Sequence, residues 1–205
     1  MTRCPAILPV LALLSGCLRL SQPAPEIREY RLDYVAPAVT DAPLPVILGV
    51  PALRVAAVYD RQAIVYREGE NATGTDFYNR WSANPGAMVA DLLARDLADS
   101  GAYRSVQRGP SLLPADYLLT GEIEEIEERV GPAGCTAHLR MRLTVARASG
   151  ANDAVRLAKT YAGDEPCACR QPRALAASMS RALERISTQL QQDVYSAIAS
   201  EQSAR

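Results

Sequence analysis

The chain has 205 residues, with 22 Lys and Arg against 23 Asp and Glu, a single His and a formal net charge of −1 at pH 7. That balance gives no electrostatic footprint for nucleic acid. The length suits one domain with a sizeable core. One Trp and one Phe, beside abundant Ala, Leu and Val, predict a core that is mainly aliphatic.

The N-terminus reads as a targeting segment. Arg3 supplies a positive charge, and Ile7, Leu8, Val10, Leu11, Leu13 and Leu14 an apolar run interrupted by Pro5 and Pro9. A span needs roughly 20 apolar residues, so this run has signal-peptide length and not transmembrane length. No later segment is long and apolar enough to cross a membrane. Leu14, Ser15, Gly16 and Cys17 close the run and look like the lipobox of a bacterial lipoprotein. Residues 1–16 are then a signal peptide. Cys17 is the lipidation site and carries diacylglycerol and an N-acyl chain such as palmitate. Several chains on one residue give stable anchoring, since each buried methylene contributes about 0.8 kcal/mol. Leu18, where inner-membrane retention resembles a rule requiring Asp, favours the outer membrane. Residues 17–28, with Gln22, Pro23 and Pro25, read as the acylated Cys and a tether, and residues 29–200 as a single domain.

Alternation at Tyr30, Leu32 and Tyr34 predicts a first strand. Residues 36–52 hold Pro37, Pro43, Pro45 and Pro51 and read as a loop around a short apolar piece, 46–48. Residues 53–58 and 63–67 read as strands, with a turn at Asp60 and Arg61 between them. Asn84 followed by Pro85 marks a helix start. Val89, Leu92, Leu93 and Leu97 form its buried stripe, Asp91, Arg95, Asp96 and Asp99 its outer face, and Gly101 its end. Strands follow at 103–107, 117–128 and 137–145, the last alternating strictly between aliphatic and polar residues. A turn signal at 149–153 leads to a strand at 154–161. From Pro172, an apolar stripe of Leu175, Met179, Leu183, Ile186, Leu190, Val194 and Ile198 predicts a long helix packed across one face of the sheet. The whole reads as α+β: one mostly antiparallel sheet with two main helices packed on it, the C-terminal helix long.

The chemistry-bearing residues point away from catalysis. Cys135, Cys167 and Cys169 remain once Cys4 leaves with the signal and Cys17 is acylated; an odd number in an oxidising compartment predicts one disulfide, between Cys135 and either Cys167 or Cys169. Zinc needs a fourth ligand, and His138 lies three strand positions from Cys135, on the opposite face, so no metal is expected. Glu122, Glu124, Glu125, Glu127 and Glu128 sit on a strand whose neighbour presents His138, Arg140 and Arg142. This reads as cross-strand complementarity, about 0.2–1 kcal/mol per pair. His138, set among arginines, is a poor acid–base relay. There is no nucleophile elbow and no phosphate-binding glycine loop, so neither a catalytic residue nor a cofactor beyond the lipid is expected. Phe77, Tyr78, Arg80 and Trp81 either cap the sheet and fill the core or form a binding surface.

Residues Tyr30 to Leu32, Leu53-Arg54-Val55, Tyr59-Asp60-Arg61-Gln62 with Ile64-Val65-Tyr66-Arg67, Tyr78-Asn79-Arg80-Trp81, and Asp116-Tyr117-Leu118-Leu119 with Gly121-Glu122-Ile123 recur in an order that resembles the ABC-type transport auxiliary lipoprotein family, the lipoprotein component of MCE-type intermembrane transport systems. The three cysteines have no place in that pattern. The resemblance implies a non-enzymatic periplasmic component, working beside an MCE-domain protein, an inner-membrane ABC permease and an ATPase, on lipid or other hydrophobic cargo. It implies docking through Tyr78, Arg80 and Trp81, with the edge strand at 30–34 as a second surface, and a ring-shaped partner would favour homo-oligomers. The rival reading is a structural envelope lipoprotein that scaffolds a secretion or assembly complex.

Overall fold

The computed structural model describes residues 25–37, 42–109, 113–148 and 155–203. Cys17, the signal segment, most of the tether and the turn signal at 149–153 lie outside them.

The sheet is organised around one long strand. This central strand, β7 (Tyr117–Gly131), pairs antiparallel along its whole length with β8 (Gly134–Arg147), which pairs antiparallel with β9 (Val155–Cys167). On its other side three short strands join it in succession, all parallel: β2 (Leu44–Gly49) near its start, β3 (Arg54–Val55) in the middle and β4 (Ala63–Glu68) near its end. Strand β2 carries β6 (Tyr103–Gln107) in parallel on its outer side. Strand β4 carries β5 (Ala72–Trp81), antiparallel, and β5 carries β1 (Arg28–Tyr30), parallel. The sheet is therefore a slab of three long antiparallel strands with two short wings, attached about ten residues, or roughly 33 Å, apart along β7. The expected antiparallel character resides in the long ladders; the wings add parallel pairs.

The first helix, α1 (Pro85–Asp99), starts as its sequence dictates. Asn84 Oδ1 accepts from Gly86 N at 2.9 Å, with Pro85 in the first turn. Gly86 is required by a close approach, because a Cβ there would lie 2.1 Å from Leu53 O. The helix end is thus pressed against the residue leading into β3, and Leu53 N donates to Gly86 O. The second helix, α2 (Pro172–Ser203), buries all seven stripe residues, none more than 3% exposed. It packs on β8 and β9 and touches α1 and β1. The core is largely aliphatic, with Trp81, Tyr117 and Tyr161 as its large aromatic members.

Several local readings are corrected. The apolar piece at 46–48 is part of β2. Residues 72–81 form β5, which period-two reasoning missed because few of its residues are apolar. Asp96 does not face solvent: α1 packs on the sheet and also touches α2, and the fully buried Asp96 carboxylate accepts from Tyr34 Oη at 2.6 Å, from Ser187 Oγ and from Arg95. Burial and this carboxylate push the Tyr34 phenol well above its usual range. Residues 31–34 do not continue β1; they leave the sheet edge to reach these helices, with Asp33 N donating to Ser180 Oγ.

Candidate interaction site

The aromatic group before α1 is divided by a bulge. In the β4–β5 ladder, Ala63 faces Arg80 while Ile64 faces Asp76, so residues 77–79 loop out of register. The Asp76 carboxylate pins the loop by accepting from Tyr78 N at 3.0 Å, Asn79 N at 2.9 Å and Asn79 Nδ2 at 2.9 Å. Asn79 Oδ1 in turn accepts from Tyr30 Oη on β1. Phe77 and Tyr78 are left 77% and 51% exposed. Trp81, back in register, is 2% exposed. This corrects the expected docking set: Trp81 is a core residue, and Arg80 is paired with Glu29 at 2.7 Å. Of the three, Tyr78 stands free at the surface, beside a Phe77 that the docking set left out.

A second bulge explains the glutamates. Ile123 and Ile126, three apart, are both buried, which no regular strand allows. The register shift between Ile123 and Glu125 turns both inward and sends Glu122, Glu124, Glu125 and Glu127 to the opposite face. There Glu124 binds Arg140 at 2.8 Å and also Arg142, and these guanidinium groups hold its carboxyl below the usual range. Glu127, 1% exposed, takes Arg67 and Arg129 at 3.0 Å each and the Tyr59 hydroxyl at 2.6 Å. Burial, followed by this carboxylate, pushes the Tyr59 phenol well up. His138 is not set among arginines. Its Nδ1 lies 2.7 Å from Asp164 and its Nε2 3.0 Å from Glu125, and the ring is 4% exposed. Both ring nitrogens face carboxylates, so neither is open to a reactant. Arg54, Glu122, Glu124 and Arg142 line an open hollow of about 540 Å³ with Thr120 and Thr144. A wall of ion pairs does not suit the apolar lining that holds a lipid chain.

The disulfide joins Cys135 and Cys169, with Cα atoms 5.1 Å apart. Cys167, directly opposite Cys135 in the β8–β9 ladder, is the free thiol. Burial, and then the nearby Glu128 charge, push that thiol up to about 11. Glu128 lies close enough to Cys135 and Cys169 for a shared metal, but with those sulfurs bonded to each other the carboxylate alone is left as a ligand. It accepts from Arg170 N at 2.8 Å, where the chain turns with φ 55°.

The slab-and-wings α+β domain thus carries an exposed aromatic bulge on one wing and a band of ion pairs across the polar face of β7 and β8. Residues 30–191 match the ABC-type transport auxiliary lipoprotein component, and the chain belongs to that family. A solved structure from Xanthomonas campestris, assigned to the family DUF330, superposes with a TM-score of 0.66 at 19% identity, covering 88% of this chain and 96% of its own. A hypothetical protein from Chlamydia trachomatis does so with 0.52 at 10% identity, covering 74% and 98%. These two likenesses establish the fold. No curated protein sequence matches.

Proposed function

We propose that the chain is the lipid-anchored component of an MCE-type intermembrane transport system for lipids or other hydrophobic cargo. Acylated Cys17 holds the domain at the outer membrane, and the domain docks the periplasmic MCE-domain protein. Through that protein it works with an inner-membrane permease and its ATPase, and it catalyses no reaction itself. The observation that carries this reading is the family match from residue 30 to 191 in a chain that also bears a lipobox upstream. The contact falls on the β6 wing. Among the described residues β6 is a sheet edge without an outer strand, and such an edge can take a partner strand. Beside it Val50, Pro51, Pro114 and Leu118 help line an open, mostly apolar hollow.

The test is in-cell photocrosslinking of the membrane-anchored chain from Arg104, an exposed residue of β6. Capture of an MCE-domain protein supports the reading. Recovery of only a second copy, or of secretion components, replaces it with the scaffold.

A further inference from the structure

The β6 wing is one end of the molecule; the Phe77–Tyr78 bulge belongs to the other. Strand β1 runs parallel to β5, with Arg28 opposite Asn79 and Glu29 opposite Arg80. The preceding residue, Ile27, therefore leaves the sheet alongside Tyr78, and it is itself 52% exposed. Three large apolar side chains, Ile27, Phe77 and Tyr78, thus lie exposed where the chain enters the domain. Ile27 is ten positions along the chain from Cys17, and even fully extended those ten steps reach no further than about 36 Å. The patch is tied to within that distance of any bilayer that holds the Cys17 lipid.

The surroundings suit a headgroup layer. Aromatic side chains concentrate at membrane–water interfaces, where an apolar body and a polar edge are both accommodated. Arg28 and Arg80 flank the patch, each partnered by a carboxylate, Glu26 at 3.2 Å and Glu29 at 2.7 Å, so no unpaired charge of these residues has to be brought to the headgroup layer. The loop's own carboxylate, Asp76, is occupied by the three N–H donors that hold the bulge. The tip therefore approaches a bilayer in a fixed shape and needs no ordering on contact.

We propose that the Phe77–Tyr78 bulge, together with Ile27, seats in the headgroup region of the bilayer to which Cys17 is anchored, and so orients the β6 wing away from the membrane. The proposal rests on the lipoprotein reading and adds a second, non-covalent membrane contact to it.

The test uses the full acylated chain reconstituted in phosphatidylethanolamine–phosphatidylglycerol vesicles whose acyl chains are brominated near the headgroups. Mass spectrometry first establishes that Cys17 carries lipid. The native Trp81, buried in the core, supplies an unquenched baseline. Phe77→Trp adds a reporter at the bulge. Val155→Trp adds one at a 55% exposed apolar position at the far end of the slab. The expected result is a blue-shifted Phe77→Trp signal that loses about half its added emission in brominated vesicles, while Val155→Trp stays unquenched. An unquenched Phe77→Trp on a lipidated chain overturns membrane seating and leaves the anchor standing. Equal quenching of both reporters overturns it in favour of non-specific adhesion. A Cys17 without lipid removes the lipoprotein reading and the proposal with it. Crosslinking of the bulge to a protein in cells, with no quenching in vesicles, makes it a protein-docking surface instead.

Discussion

The two ends of the β7–β8–β9 slab are held together by different chemistry. At the tether end, the Cys135–Cys169 disulfide, buried Trp81 and the Glu128–Arg170 hydrogen bond bind the β7–β8 turn, the β5 wing and the start of α2. At the other end, Glu201 near the close of α2 accepts from Arg147 at 2.7 Å, Arg156 at 2.5 Å and the Tyr117 hydroxyl at 2.7 Å. A covalent bond and an apolar ring do not titrate, whereas a carboxylate among guanidinium groups gives up its pairs once acid protonates it. The disulfide and Trp81 thus fasten the end at the β7–β8 turn with contacts that do not depend on pH. The end bearing the β6 wing is fastened by charge.

The largest break in this contrast comes from Trp81→Ala. Removing a fully buried indole costs about 3–5 kcal/mol, read as a fall in the urea midpoint of the purified domain. The same substitution leaves any direct partner contact untouched, because Trp81 has no exposed surface to offer. Replacing both Cys135 and Cys169 by Ala follows closely. They close a loop with a sequence separation of 34, which corresponds to about 3–4 kcal/mol in the chain-entropy account. Cys167 sharpens that point. With its thiol at about 11, its thiolate is scarce at pH 8, and alkylation of the folded protein runs roughly two orders of magnitude slower than for an ordinary thiol. Timed iodoacetamide labelling with mass spectrometry measures it; fast labelling at pH 8 contradicts the partial burial seen at this position.

The elements that could be read from the sequence are those with a single strong period. The stripe from Leu175 to Ile198 and the alternation from 137 to 145 place α2 and β8 because each presents one apolar face to one neighbour. Asn84-Pro85 fixes the start of α1 through local chemistry alone. What failed depended on neighbours. Asp96 reads as an outer residue until α2 covers it, and β5 is a strand because β4 and β1 flank it on either side. The bulge between Ile123 and Glu125 could not be read either, because only the burial of both Ile123 and Ile126 shows that two residues three apart share a face. Of the candidate site, the residue types at 77–81 were visible. Which of them faces water was not, because that depends on the Asp76-pinned bulge and its register with β4.

Glu201→Gln tests the far end through pH. Hydrogen bonding from Arg156, then Tyr117 and Arg147, outweighs desolvation and lowers the Glu201 carboxyl from 4.5 to about 2. The folded state therefore prefers the ionised form. The resulting stability is complete above about pH 4.5 and is lost as pH falls towards 2. The variant lacks this contribution at every pH. Its deficit in urea midpoint is constant from pH 7 to 5 and shrinks between 4.5 and 2.5. A deficit that persists unchanged at pH 2.5 assigns the effect to packing and not to charge.

The smallest effect on stability belongs to Phe77→Ser, and its smallness carries the argument. A side chain 77% exposed on a bulge held by Asp76 contributes little to the fold, and surface substitutions of this kind fall within about 0.5 kcal/mol. Asp76→Ala at the neighbouring position releases three hydrogen bonds and costs more while leaving the aromatic tip in place. Urea midpoints of the two variants separate what holds the bulge from what the bulge presents. If Phe77→Ser proved as costly as Asp76→Ala, the ring would be a packing element, and its exposure could no longer be set against the buried Trp81 four residues along the same strand.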